Sequence, residues 1–429
     1  MCIRDSFFAD QDKFKELYEA AERKTSIRKK SIPAIELFSA FVQERKDTGR
    51  IYLMNVDHAN THGAFIEEVA PIRQSNLCCE IDLPTKPLSH IHDEEGEISL
   101  CTLSAVNWGV IKDFEEMNKV CKLAVRGLDE LLDYQKYPVL AAELSTMKRR
   151  PLGIGIINLA YWMAKNGMTY QEPNLELIDE WAEAWSYSLI KASNKLAMEK
   201  GPCPGTSETK YGHGITPNQT YKKDVDELVK HKERQNWKEL RKNLKEHGIR
   251  NSTLMALMPA ETSAQISNST NGIEPPRGYI SIKQSKHGVL KQVVPGFPYY
   301  KNKYDLLWDQ KSPQGYLKIM AVLQKYIDQG ISVNTSYNPE HYEDEKVPMS
   351  VLIQDLLMFY KYGGKQLYYN NTFDGQGEID VHKDDKLEEL PLGEIEDDED
   401  CDSCKISVSY THLRAHETDS YLVCRLLLE

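Results

Sequence analysis

Asn76-Leu77-Cys78-Cys79-Glu80 sets an amide, two thiols and a carboxylate within five residues. Another thiol, Cys101, follows, and far downstream come the phenol pair Tyr368-Tyr369 and the dithiol Cys401-Asp402-Ser403-Cys404. One-electron chemistry needs a thiol that can become a radical, phenols that can relay an electron, and a dithiol that can be re-reduced. On an extended segment Asn76, Cys78 and Glu80 point to one side. That side offers a hydrogen-bonding amide, a sulfur and a proton acceptor, and a general base must sit within hydrogen-bond reach of its proton. Cys79 then points to the other face and reads as packing. Cys101 reads locally as a core cysteine, and only the other thiols single it out.

Three further patterns have a second reading. Pro259-Ala260-Glu261-Thr262-Ser263 follows an apolar strand and precedes a helix. Its backbone N–H groups, with the Thr262 and Ser263 hydroxyls, form a natural phosphate cradle, or an ordinary N-cap. Tyr368-Tyr369 also fits a strand whose adjacent aromatics face opposite ways. Cys401 and Cys404 could be half a zinc site, but no second CxxC or His pair lies nearby, and an exchangeable dithiol fits better. Gly153-Ile154-Gly155 lacks the third glycine of a nucleotide loop.

These groups must be positioned by a large chain. Its 429 residues are 41% hydrophobic and 28% charged, an ordinary globular balance. The net charge of −12 argues against a nucleic-acid scaffold. No long apolar run predicts a membrane span, and no secretory signal is visible. Nine irregularly spaced cysteines read as thiols of a reducing cytoplasm rather than a disulfide framework.

Apolar periodicity predicts helices over 12–24, 33–46, 110–134, 152–166, 175–200, 315–330 and 348–362. On the 110–134 helix, Val120, Leu123, Leu128, Leu131 and Leu132 form the expected apolar side. Charged helices are expected over 222–248. Strands are expected over 51–56, 251–259 and 366–371, and a long loop over 73–102. Strands alternating with helices predict an α/β fold with parallel strands, a barrel or a wound sheet. From Glu378 to Asp402, thirteen carboxylates face two lysines, which predicts a disordered acidic tail. Residues 1–6 and 407–429 break the composition of their neighbours and read as non-native, adapter-like additions.

In order along the chain, SNLCCEIDLPTKPL, GEISLCTLSAVNWG, RNSTLMALMPAETSAQISNSTNGIEPPRGY, QLYYNNT and CDSCKI closely resemble motifs of the large catalytic subunit of aerobic class I ribonucleotide reductase. The likeness is nearest to bacterial and phage class Ia members and covers residues 7–406. It implies the C-terminal portion of a ten-stranded α/β barrel with a central finger loop over 7–375, and a flexible tail with a redox dithiol over 376–406. It implies that Cys78 is the radical thiol that takes the ribose 3′ hydrogen. Glu80 would take the 3′-hydroxyl proton, Asn76 would bind the sugar hydroxyls, and Cys101 would be half of the reducing pair. Pro259–Ser263 would hold the substrate diphosphate, and Tyr368 and Tyr369 would relay the radical. Cys401 and Cys404 would exchange with thioredoxin or glutaredoxin.

The implied partners are ribonucleoside diphosphates, a metal-containing small subunit that supplies the radical, and a second large subunit. No cofactor is expected on this segment, and the nucleotide effectors ATP, dATP and dNTPs would bind a preceding N-terminal part. That part, with its second reducing cysteine, is expected to be missing, so the chain reads as a fragment inactive by itself. Ala260 stands where relatives often have serine, and Cys79 where an apolar residue is common. Two other readings remain: a glycyl radical enzyme of the same superfamily, which needs a glycyl loop not seen here, or an inert fragment that only binds the small subunit.

Overall fold

The computed structural model describes residues 11–285 and 288–374. The expected tail with Cys401 and Cys404, and both expected non-native ends, lie outside the described residues. Val42–Asp374 forms one compact unit, and the described residues before it belong to another. Helix α1 spans Gln11–Arg23, and α2 runs from Ala34 to Thr48.

The larger unit continues through β1 (Leu53–Met54), α3 (Val56–Thr61), β2 (Leu103–Asn107), α4 (Phe114–Tyr134), α5 (Leu140–Arg149), β3 (Gly153–Ile157), α6 (Leu159–Lys165) and α7 (Leu175–Lys200). After these come α8 (Pro217–Thr220), α9 (Trp237–His247), α10 (Glu261–Ile266), β4 (Ile280–Ser285), β5 (Gly288–Val293), α11 (Phe297–Tyr300) and α12 (Gln314–Gln324). The last elements are β6 (Thr335–Tyr337), α13 (Met349–Lys361), β7 (Gln366–Leu367) and β8 (Asn370–Thr372).

Parallel pairing organises this unit. β2 pairs with β3, Ile154 bridges to Met255, Leu257 bridges to Ile331, and β6 pairs with β8, all in parallel. Tyr368 N–H also donates to the Val333 carbonyl at 2.7 Å. Neighbouring segments therefore follow the order β2, β3, 254–257, 331–337 and 368–372, with helices in the connections. Such strands are covered on both faces and read as continuous apolar runs. Helix α7 supplies much of the cover. Asn174 caps it by accepting from Leu177 N–H at 3.1 Å, Gly201 (φ 87°) ends it, and Trp185, Leu189 and Ile190 are buried along it. Among the described residues no helix is long and apolar enough to cross a membrane.

Several expectations need correction. The run 152–166 is not one helix: its first part is the buried strand β3 and only 159–165 is helical. A short apolar run has no period that separates a buried strand from a buried helix. Its glycines serve packing, since a Cβ on Gly155 would lie 2.7 Å from Met258 Sδ. Helix α4 turns a different face inward, with Met117, Cys121, Val125, Leu128 and Leu132 buried while Leu123 and Leu131 are exposed. Part of 51–56 is the two-residue β1, and α3 begins at Val56. Within 222–248 only α9 and a short 3-10 turn over Lys223–Glu227 are helical, and Trp237, Leu240 and Leu244 are buried. Residues 251–259 pair through single bridges, not a regular strand.

Candidate functional site

The segment 76–80 is a turn, not extended chain. Cys79 N–H donates to the Asn76 carbonyl at 3.1 Å, and Cys79 has φ 59°, a left-handed conformation rare for a residue with a side chain. The expected alternation therefore fails, because a reversed residue breaks the two-residue period. Asn76 organises the turn. Its Oδ1 accepts from the N–H groups of Glu80 (3.0 Å) and Ile81 (3.1 Å). Its Nδ2 donates to Glu80 Oε1 at 2.7 Å and to Cys101 Sγ at 3.5 Å. Asn76, Glu80 and Cys101 are thus brought together by one side chain.

The turn is seated on the parallel segments. Gly330 N–H donates to the Glu80 carbonyl at 2.8 Å, and Ser332 Oγ donates to the Cys78 carbonyl at 2.5 Å. Ser332 Oγ also lies 3.2 Å from Glu80 Oε2. A Cβ at Gly330 would lie 2.0 Å from Gln366 Oε1, so a larger residue there must displace the end of that side chain. Cys79, Glu80, Ile81, Asp82 and Leu83 are all buried. Under the turn, Gln366 Nε2 donates to Asp82, and buried Lys365 Nζ donates to the Gln329 carbonyl at 2.6 Å. Asp328 accepts from the N–H groups of Leu254 (2.8 Å) and Met255 (2.9 Å). Burial raises the Asp82 and Asp328 carboxyls and lowers the Lys365 ammonium.

Glu80 is 1% exposed. Burial pushes its carboxyl up to about 7, against the pull of the Asn76 and Ser332 hydrogen bonds. A carboxyl poised near neutrality suits general base work. Burial also pushes the Cys79 thiol up to about 12, with Glu80 next in effect, so Cys79 stays a neutral packing group.

Tyr368 and Tyr369 do not lie within a single strand. The expected strand over 366–371 is interrupted at the pair, because β7 pairs antiparallel with β1 while β8 pairs parallel with β6. The rings consequently do not oppose: their centroids are 4.0 Å apart, tilted by 50°. Tyr368 O–H donates to Cys78 Sγ at 3.7 Å. Tyr368 is buried and Tyr369 half-buried, so the two rings lead inward to the sulfur. Burial raises the Tyr368 phenol above its ordinary range, and Tyr369 and Cys78 act in the same direction. It remains protonated, and losing an electron requires losing its proton as well.

Groups that carry no local sequence signal complete this region. Arg45, buried, donates to the carbonyls of Tyr368 (2.8 Å) and Tyr369 (3.4 Å). Tyr52 packs at 4.6 Å from the Tyr368 ring and 5.5 Å from that of Tyr369. Asn334 Oδ1 accepts from Tyr369 N–H at 3.0 Å. Ser332 is the fourth. Only the aromatic pairing of Tyr52 with the phenol pair had a residue type that sequence reading could have weighed.

Pro259–Ser263 follows a segment that pairs with the ladder under the turn, and its own Ala260 N–H donates to Asn271 Oδ1 at 3.3 Å. Leu257 N–H donates to the Gly330 carbonyl at 3.1 Å, and Ser332 N–H to the Leu257 carbonyl at 2.9 Å. Beyond Met258 the chain enters α10. Ala260 is its N-cap and offers no side-chain cap, while Glu261, Thr262 and Ser263 are exposed. The first N–H groups of a helix have no intrahelical acceptor. A cleft of about 530 Å³ lined by Thr206, His213, Lys245 and His247 lies elsewhere and includes none of the site residues. Among the described residues no cluster of three or more His, Cys, Asp or Glu side chains could hold a metal ion.

A family model for the ribonucleotide reductase barrel domain matches residues 5–300 and 296–370. The ribonucleoside-diphosphate reductase subunit alpha of Haemophilus influenzae is 56% identical over 384 residues, covering 89% of this chain and 51% of that protein. The ribonucleoside-diphosphate reductase 1 subunit alpha of Escherichia coli is 52% identical over 374 residues, 87% of this chain and 49% of the relative. The alpha subunit of Enterobacteria phage T4 is 46% identical over 408 residues, 94% and 52% respectively. The chain spans about half the length of the curated relatives it matches.

Proposed function

The chain belongs to the ribonucleotide reductase barrel-domain family, and from that premise we propose that its site reduces ribonucleoside diphosphates to deoxyribonucleoside diphosphates by a thiyl radical mechanism. Cys78 is the radical thiol and takes the ribose 3′ hydrogen atom. Glu80 accepts the 3′-hydroxyl proton and Asn76 binds the sugar hydroxyls. The 2′-hydroxyl leaves as water, and Cys101 with a second thiol supplies the two electrons by forming a disulfide. Pro259–Ser263 binds the diphosphate. The dithiol Cys401/Cys404 returns the disulfide to thiols and is itself reduced by thioredoxin or glutaredoxin. A small subunit supplies the radical, which enters through Tyr369 and Tyr368, and the enzyme works in the cytoplasm as a dimer of large subunits.

The observation that carries this reading is the continuous contact from Tyr369 through Tyr368 to Cys78, ending beside Glu80 and Cys101. A packed core needs no such line of oxidisable groups. The test uses a subunit with this sequence at the relatives' full length, assayed with a small subunit and a 3′-tritiated ribonucleoside diphosphate. Wild type should give deoxynucleotide and a 3′-hydrogen isotope effect. Cys78→Ser should give neither while binding the nucleotide. Product formation by the serine variant would remove Cys78 from its role.

A further inference from the structure

Ser332 Oγ stands between two acceptors, the Cys78 carbonyl at 2.5 Å and Glu80 Oε2 at 3.2 Å. A serine hydroxyl has one hydrogen to donate and lone pairs to accept with. It can therefore satisfy one of those oxygens as a donor at any moment. Ser332 is 5% exposed and its own N–H is held by the Leu257 carbonyl, so its backbone is fixed while its O–H can rotate. If Glu80 carries a proton on Oε2, that proton can be donated to Ser332 Oγ and the serine hydrogen stays on the Cys78 carbonyl. If Glu80 is ionised, the charge-assisted bond to the carboxylate is the stronger one, and the Cys78 carbonyl gives up the Ser332 hydrogen.

We propose that Ser332 is a positioning residue whose hydroxyl changes partner with the protonation of Glu80, so that the backbone carrying Cys78 is held most firmly when Glu80 is neutral. No proton leaves the serine; only the direction of its O–H bond changes. The peptide affected is the one joining Cys78 to Cys79, the residue with the left-handed backbone. The proposal rests on the reading of Cys78 and Glu80 as the reacting pair for its catalytic meaning: proton uptake by Glu80 from substrate would tighten the seat of the sulfur. The switch itself is a property of the folded chain.

Other titratable groups face this site and must be separated from Glu80. Asp82 lies on the same turn and raises the Glu80 carboxyl by its charge, and Lys365 in turn lowers that of Asp82. The Cys79 and Cys101 thiols feel the Glu80 charge. The Tyr368 phenol donates to Cys78 Sγ.

The sequence supplies a clean probe. Cys78-Cys79 is the one place in the 429 residues where two cysteines adjoin. In the chain grown with carbonyl-¹³C, ¹⁵N-cysteine, the Cys78 carbonyl is the single labelled carbon bonded to a labelled nitrogen, and it gives one HNCO signal. In wild type this carbonyl shift should titrate with a midpoint near the value of about 7 to which Glu80 is raised. Glu80→Gln should abolish the titration, which excludes Asp82 as its source. Ser332→Ala should also abolish it, and Ser332→Thr, which keeps the hydroxyl, should preserve it. If the alanine variant does not fold, Ser332→Cys, a weak donor, takes its place. A wild-type signal that does not move with pH overturns the proposal, as does equal movement after removal of the hydroxyl, which would mean a field acting through space. Activity is not read, so failure here is distinct from failure of the reductase reading, which would appear as absent turnover with the switch intact.

Discussion

The turn at 76–82 and the helix start at 259–263 flank the same strand ladder and are built in opposite ways. The turn is closed on itself. Asn76 alone makes five side-chain hydrogen bonds there, and Glu80 and Asp82 are each 1% exposed. The helix start is more open, with an alanine whose side chain cannot cap and three exposed residues behind it. On the proposed reading, the groups that react at a fixed distance are held by the protein's own bonds, and the exposed residues 261–263 are left open toward the diphosphate. Pre-organisation of this kind puts the cost of ordering the reactive groups into folding rather than into each turnover.

That contrast predicts different kinds of damage. In a full-length subunit, Glu80→Gln should lower kcat by about 10²–10⁴-fold with little change in KM, the usual range for a lost general base. The same substitution should stabilise the folded chain at high pH. The folded Glu80 keeps its proton up to about 7, whereas the ordinary carboxyl releases it near 4.5. Its contribution to stability is therefore fully present below 4.5 and is lost as pH rises through 7. Above that midpoint the glutamine variant should be more stable than wild type by roughly 3 kcal/mol, a difference that vanishes in acid. Denaturant titrations across the pH range check it, and a gap independent of pH would contradict it.

Gly330→Ala attacks the seat of the turn without touching any reacting group. Its Cβ would meet the Gln366 side chain, which in turn bonds Asp82. Overpacking of this kind costs about 1–3 kcal/mol. Chemical denaturation should show the loss, and an unchanged midpoint would mean that Gln366 moves aside freely. The smallest effect belongs to the open region. Thr262→Ala should raise KM for a ribonucleoside diphosphate by about tenfold or less and leave kcat nearly intact, as loss of one hydrogen bond does. A drop in kcat equal to that of the Glu80 variant would erase the distinction between the two regions.

The scaffold was largely legible in the sequence. Helix α7 carries an asparagine cap and a glycine stop and spans the expected residues 175–200, α13 lies within one residue of the expected 348–362, and α12 ends at Gln324, short of the expected 330. Strand β3 was not legible, because GIGII is equally apolar in every direction. The phenol pair and the thiols were visible as residue types, but their arrangement was not. A left-handed Cys79 and a strand interrupted at Tyr368-Tyr369 arise from competing tertiary pairings, and local pattern carries no trace of them. Ser332 illustrates the limit. It lies 254 positions from the carbonyl it bonds, in a stretch just beyond the expected 315–330 helix for which no element is expected.

The central claim is that Tyr369, Tyr368 and Cys78 form one path for a radical. Tyr368→Phe tests it most directly, in a subunit of the relatives' full length assayed with a small subunit and a ribonucleoside diphosphate. The ring and its 4.0 Å contact with Tyr369 would remain, and only the O–H that reaches Cys78 Sγ would be lost. The account predicts no detectable deoxynucleotide, with nucleotide binding measured by equilibrium dialysis nearly unchanged. Turnover at the wild-type rate would contradict it.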